Sequence, residues 1–232
     1  MTETPTAIEI TGLAKAYGAG LVLRDVTFRV RQGEVVALMG ANGAGKTTLL
    51  RCIASTVRPT SGEIRCFGAD MRDPSRRGLL GIVGHQSRLY PDLTLRENLR
   101  FAARMHSLSD ADRRAGDWLR NFRLERHADR MPRQVSRGMR QRVSLARACI
   151  HDPRILLLDE PFTGLDTEGR QSLIGLFHTL KQQQRTVCFA THDRSAAESL
   201  ADRILLMEAG RLDREQSPAT DPTVRPILFK AA

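Results

Sequence analysis

The sequence is poor in long apolar runs, aromatic residues and lysine, and each shortage closes off a class of function. Its longest apolar stretches, Val35 to Ala41 and Ile155 to Leu158, fall far short of the ~20 residues that span a bilayer as a helix. No membrane-crossing helix is expected. At the N-terminus, Met1-Thr2-Glu3-Thr4-Pro5 carries no basic segment followed by an apolar one, so no secretion signal is read and the chain is expected to be cytoplasmic. Cys52, Cys66, Cys149 and Cys188 form no C-x-x-C pair and stand in apolar surroundings, which reads as buried thiols rather than metal ligands or redox centres. Lysine occurs only at Lys15, Lys46, Lys181 and Lys230, and aromatics make up 5% of a chain whose net charge is +10. A basic surface attracts polyanions. The arginines are dispersed, however, and no dense basic block is interleaved with aromatics, so nucleic acid is not an expected partner. An anionic membrane surface or an acidic protein suits the same charge. No internal repeat or low-complexity tract is present, and 232 residues fit one large domain or a domain with a subdomain.

What the chain does contain is Gly40-Ala41-Asn42-Gly43-Ala44-Gly45-Lys46-Thr47-Thr48, between an apolar run ending at Met39 and the amphipathic Leu49-Leu50-Arg51-Cys52-Ile53. It matches G-x-x-x-x-G-K-[ST], a phosphate-binding loop joining a buried strand to a helix. The glycines let backbone N–H groups face inward as an anion seat. Lys46 is suited to lie between the β- and γ-phosphates and Thr47 to offer its hydroxyl to Mg²⁺, with the helix dipole pointing its positive end at the phosphates. This loop specifies a nucleoside triphosphate and leaves open what its hydrolysis drives.

Ahead of the loop, Ala7 to Ile10 and Leu21 to Val30 read as strands, the second alternating Val26, Phe28 and Val30 with polar residues. Tyr17 lies on the connection between them, either to stack on a base or to pack its own hairpin. After the loop come strands at Glu63 to Phe67 and Leu79 to Val83, the latter leading to Gly84-His85-Gln86. Gln86 there is placed to reach a metal ion or water, or is simply solvated. Residues 91 to 135 change character: Thr94-Leu95-Arg96-Glu97 is a capping box, followed by helical spacing through Leu99, Ala102 and Met105 or His106, and a second helix from Ser109 to Phe122. Ser136 is a natural N-cap for a helix running to Ile150, and with the amide of Gly138 it makes a second anion seat or just a capped structural helix.

Arg154-Ile155-Leu156-Leu157-Leu158-Asp159-Glu160 then reads as a strand buried on both faces that delivers two carboxylates to the sheet's C-terminal edge. There Asp159 suits Mg²⁺ and Glu160 suits orienting or deprotonating an attacking water. Asp166 begins a helix from Thr167 to Gln184, and the strand Thr186 to Ala190 brings His192 to the same edge, for a γ-phosphate or a structural bond. A hairpin at 203–214 and a Pro-containing tail from Ser217 close the chain.

Taken in order, the phosphate loop, Gln86, Ser136 to Gly138, Asp159-Glu160, Asp166 and His192 resemble an ATP-binding-cassette ATPase, the nucleotide-binding subunit of a transporter, from about Ala7 to Arg214. That resemblance implies an α/β P-loop NTPase core with a mixed sheet, an antiparallel β-subdomain and a helical subdomain. The expected division is 1–90 for the first half of the core with the β-subdomain, 91–135 for the helical subdomain with the signature helix 136–150 at its end, 151–215 for the second half, and 216–232 for a tail. It further implies Tyr17 as the adenine-stacking aromatic, Gln86 as the Q-loop residue contacting metal and nucleotide, and Ser136 to Met139 as the signature. Asp159 and Glu160 would be the Walker B Asp and the catalytic Glu, Asp166 the D-loop residue, and His192 the switch histidine. Mg²⁺ with ATP, a membrane permease subunit, attachment to the inner face of the cell membrane, and a head-to-tail homodimer or heterodimer complete the expectation. Where the family usually has L-S-G-G-Q, this chain has Val135-Ser136-Arg137-Gly138-Met139. Gly84-His85-Gln86, the stretch Leu93 to Phe101, the signature variant and the stretch Asp159 to Asp166 are also similar to the haem-exporter subgroup of cytochrome c maturation. A soluble cassette ATPase working on nucleic acid or ribosomes is the alternative.

Overall fold

In this computed structural model, residues 4–84 and 87–216 are described. Two sheets organise them. An antiparallel sheet of order β2-β1-β4-β5 is built from β1 (Thr6–Tyr17), β2 (Gly20–Arg31), β4 (Ser61–Cys66) and β5 (Ala69–Asp70). A six-stranded sheet of order β10-β9-β3-β8-β7-β6 joins β3 (Val35–Met39), β6 (Leu80–Val83), β7 (Ile155–Asp159), β8 (Thr186–Ala190), β9 (Arg203–Glu208) and β10 (Arg211–Gln216). Its strands run parallel except for β10, which turns back antiparallel on β9. The mixed α/β fold expected from the sequence is the one observed.

The parallel strands alternate between two apolar layers because successive side chains point to opposite faces. Val35, Ala37, Leu156, Leu158, Val187 and Phe189 face one cluster, while Val36, Leu38, Ile155, Leu157, Cys188 and Ala190 face the other. The second cluster is closed by α1 (Lys46–Ile53) and the inner side of the antiparallel sheet. The first is closed by α5 (Thr167–Gln182) and α6 (Arg194–Leu200) and continues without a break into α2 (Leu95–Met105), α3 (Ala111–Asn121) and α4 (Arg137–Cys149).

Two local expectations are refined. Strand β1 runs on to Tyr17, so the tyrosine ends a strand, paired with Gly20, instead of lying in a loop. On α2 the buried residues are Leu95, Asn98, Leu99 and Ala103, and Met105 is 69% exposed. The helix continues at its expected spacing, but its last turn has passed the edge of the core. The capping box is present, with Thr94 Oγ1 accepting from Glu97 N at 3.2 Å and Glu97 Oε2 accepting from Thr94 N at 2.8 Å. Asn98, part of the subgroup-like stretch, has a structural role here. Fully buried, it donates Nδ2 to the carbonyls of Tyr90, Leu93 and Thr94 and accepts from Tyr90 N, knitting the 90–94 turn onto the helix.

The four cysteines are free and buried. Burial pushes the thiol of Cys52 up to about 11 and those of Cys66, Cys149 and Cys188 to about 12.

Candidate nucleotide site

Register fixes where the chemistry gathers. Leu38 pairs with Ala190, and Ala190 with Asp159, so the C-terminal ends of β3, β8 and β7 lie side by side. The phosphate loop, Glu160 and Thr191-His192 therefore leave the sheet at one edge, where ligands of open parallel sheets bind.

The phosphate loop is held by its own chain. Lys46 is 7% exposed and its Nζ donates to the carbonyls of Gly40 at 2.7 Å and Ala41 at 3.0 Å, closing the loop across itself. Its glycines answer two different demands. At Gly40 (φ +149°) a Cβ would lie 2.2 Å from the Met207 carbonyl oxygen, so close approach to β9 requires glycine there. At Gly43 the space is open and only φ, +82°, calls for glycine. Helix α1 then begins at Lys46 with no acidic residue in its first turn, which leaves its positive end to an anion. Ala41, Asn42 and Ala44 line, with Leu206 to Ala209 and Asp213 of the final hairpin, an open cleft of about 410 Å³. The share of the β9–β10 hairpin in this wall was missed by sequence reasoning. Only the requirement for glycine at position 40 hinted at a close neighbour.

Beneath the loop, Thr47 Oγ1 donates to Asp159 Oδ1 at 3.0 Å, and Asp159 is 6% exposed. A hydroxyl and a carboxylate at contact distance form a hard-oxygen donor set that suits Mg²⁺. Among the described residues no group of three or more His, Cys, Asp or Glu could hold a metal by itself.

Next along the chain, Glu160 has a left-handed backbone (φ +51°), fixed by its N–H donating to Ala190 O at 2.9 Å. The turn swings its carboxylate away from the sheet toward His192, whose Nδ1 lies 2.9 Å from Glu160 Oε2. The His192 side chain is 69% exposed and that of Glu160 only 17%. The pair joins a shielded carboxylate to a ring facing solvent. Asp193 then caps α6 and is drawn below the usual carboxylate range by the Ala196 N–H, helped by the Arg170 guanidinium 2.8 Å away.

Ser136 caps α4, its Oγ accepting from Met139 N at 3.2 Å, and its own hydroxyl hydrogen has no acceptor among the described residues. Gly138 is buried against the turn at Gly164 to Asp166, where Asp166 caps α5 through Gly169 N at 2.7 Å. These two turns are also tied by Arg142, 4% exposed, which donates to Phe122 O at 3.0 Å and lies 3.8 Å from Asp166 and 3.6 Å from Glu168. Tyr17, at the end of β1, is 49% exposed with Lys15 Nζ 4.7 Å over its ring, so it does not pack under its own hairpin. Gln86 lies outside the described residues. Its neighbours Ser87 and Arg88 are bound to α4, where Ser144 Oγ donates to Ser87 O at 2.8 Å and Arg147 Nη1 donates to Arg88 O.

A phosphate loop, a Thr–Asp pair, a Glu–His pair and a capped Ser-x-Gly turn on one α/β scaffold agree with what comparison finds. A family model described as ABC transporter matches residues 23–163, more than half of the chain. The chain belongs to the ABC transporter ATPase family. Among its relatives, the spermidine/putrescine import ATP-binding protein PotA of Nitratidesulfovibrio vulgaris is 37% identical over 94% of this chain. The Nod factor export ATP-binding protein I of Rhizobium johnstonii is 37% identical over 93% of this chain and 70% of its own length. The chain spans 60% of the length of the PotA protein. A solved dimeric ATP-binding cassette, in a post-hydrolysis state bound to ADP and Pi, superposes with a TM-score of 0.85 at 29% identity, covering 92% of this chain and 100% of that one. This cassette has no described helix long and apolar enough to cross a membrane.

Proposed function

We propose that the chain binds and hydrolyses Mg·ATP as the ATPase subunit of a transporter, two copies closing head to tail around two nucleotides and driving a membrane permease. The observation that carries this reading is the meeting of Lys46, the Thr47–Asp159 pair and the Glu160–His192 pair at one sheet edge. In this reading residues 40–48 bind the phosphates, Thr47, Asp159 and Gln86 hold the ion, and Tyr17 stacks on the base. Bound there, Mg²⁺ supplies neutralisation of phosphate charge. Glu160 orients and deprotonates the attacking water, and His192, held by Glu160, reaches the γ-phosphate. Ser136, Gly138 and Asp166 serve the nucleotide of the other copy, which explains a capped Ser-x-Gly turn without a phosphate loop of its own. The division at 90, 135 and 150 is part of the same proposal.

The permease is proposed to dock on residues 86–104. Tyr90 and Phe101 are 48% and 39% exposed there and Met105, the next residue beyond that range, 69%, and all three line a cleft of about 240 Å³ with Leu80, Ile82 and the stacked His106 and His151 rings. The chain would then lie peripherally on the inner face of the membrane. For cargo, the haem-exporter reading rests on the residues of 84–86, 93–101, 136–139 and 159–166 alone. The relatives reported above are named for spermidine/putrescine import and Nod factor export, and Asn98, within 93–101, answers a structural demand. Nothing in the site favours the nucleic-acid or ribosome alternative.

Glu160→Gln tests the reading. The variant should retain ATP binding while turnover falls by about 10²-fold or more. Hydrolysis at the parental rate would remove Glu160 from the mechanism.

A further inference from the structure

We propose that Arg137, where the family pattern has glycine, is a nucleotide-contacting residue of the composite site, adding a cation to the triphosphate held by the other copy. The inference rests on the head-to-tail reading and concerns a side chain that this reading does not use.

Three arginines lie in the first two turns of α4, and two are committed. Arg140 Nη1 donates to the carbonyls of Pro132 and Val135. Arg142 is buried among Phe122 O, Asp166 and Glu168. Arg137 is exposed, and among the described residues its guanidinium has neither an ion pair nor a hydrogen bond. It is nonetheless not loose. A Cβ added at Gly164 would lie 2.8 Å from Arg137 Nε, 2.9 Å from Cδ and 3.3 Å from Cζ, so the side chain rests flat on that glycine. With φ +76°, Gly164 is a position where glycine is favoured, and any larger residue would lift the arginine away. The guanidinium is thus held, charge unneutralised, at the seam between the Ser136–Gly138 turn and the Gly164–Asp166 turn. Both are turns that the reading directs at the other copy's nucleotide.

Electrostatics gives the same direction. A cation at the first position of a helix opposes the macrodipole. Helices α2, α3 and α5 carry Glu97, Asp112 and Glu168 in their first turns, whereas α4 has no acid there. An anion arriving at Ser136 relieves this repulsion, and a guanidinium beside a phosphate forms charge-assisted bonds. The backbone amide of Gly138 and the hydroxyl of Ser136 would then fix the phosphate, and Arg137 would supply the charge the usual signature lacks.

The test measures the dimer dissociation constant in Mg·ATP as a function of salt, in the Glu160→Gln background. Arg137→Gln should weaken pairing by about tenfold at each composite site, roughly a hundredfold for the dimer, and should flatten its salt dependence. Arg137→Lys should recover most of the affinity and the salt slope. Equal affinity and slope in the Gln variant would overturn the proposal. So would a loss that Lys does not restore, since that marks a packing role on Gly164. If the Glu160→Gln protein itself stays monomeric in Mg·ATP, the head-to-tail reading fails, and the role of Arg137 fails with it.

Discussion

Asp159 and Glu160 are neighbours in sequence, yet the structure gives them opposite surroundings. Asp159 ends a strand paired on both sides and lies against Thr47, while the left-handed turn at Glu160 sends its carboxylate to His192. Exchanging their roles would require undoing that turn, so Asp159→Asn and Glu160→Gln should fail differently. The first should lose Mg²⁺-dependent ATP affinity by about tenfold or more, and the second should lose turnover with affinity retained; titration with and without Mg²⁺ separates them. The thiols lead to a different expectation. Raised to about 11 or 12 by burial, they have little thiolate at neutral pH. A disulfide reagent should modify none of them in the native protein and all of them after unfolding, and fast native labelling would contradict the packing. His151 adds a pH dependence. Burial, then the neighbouring His106, lowers it from 6.5 to about 4. The unfolded chain therefore binds a proton that the folded chain refuses between those values, and stability falls as pH drops through that window. Urea unfolding should show a smaller fall in His151→Gln than in the parent between pH about 6.5 and about 4, and equal falls would rule out His151 as the source.

At the scale of elements, the strands and helices were largely legible because their periods are strong. The runs at 35–39, 155–158 and 186–190 are apolar on both faces and proved to be the central parallel strands. Thr94, Ser136 and Asp166 announced helix starts through their capping chemistry, and all three cap. Less legible was whatever depends on partners distant in sequence. The β9–β10 hairpin walls the phosphate loop through a backbone contact at Met207, and backbone atoms leave no residue pattern to read. The ties of Ser144 and Arg147 to carbonyls at 87–88 are equally silent, since a carbonyl belongs to every residue. Asn98, inside the stretch Leu93 to Phe101, is a turn-closing amide, a role that depends on the carbonyls it meets. Replacing it with alanine leaves the Leu93 carbonyl and the Tyr90 amide without a partner among the described residues, while Tyr90 O still accepts from Leu93 N and Thr94 O from Asn98 N, and should destabilise the fold by about 3 kcal/mol. A chemical-denaturation curve within experimental error of the parent would contradict this.

At the scale of the molecule, the continuous apolar cluster from α2 through α4 to β8 makes the helical segment part of one packed body with the sheet. In the proposed docking, a push on the exposed face at Tyr90, Phe101 and Met105 would pass to Ser136 through α4, and to Ser87 and Arg88 through Ser144 and Arg147. Phe101→Glu, on that face and away from the nucleotide, should abolish transport by the assembled complex and leave ATP hydrolysis by the isolated subunit within about twofold of the parent. Unchanged transport would relocate the docking surface. The central claim is that each copy completes the other's site, and one sedimentation experiment tests it most directly. Lys46→Ala and Ser136→Glu are each placed in the Glu160→Gln background, where either lesion alone breaks both composite sites of a homodimer. Mixed in equal amounts with Mg·ATP, the two proteins retain one intact pairing of phosphate loop and signature turn. The account predicts that each variant alone sediments as a monomer and the mixture forms a dimer. A mixture that stays monomeric while the Glu160→Gln parent pairs would contradict it.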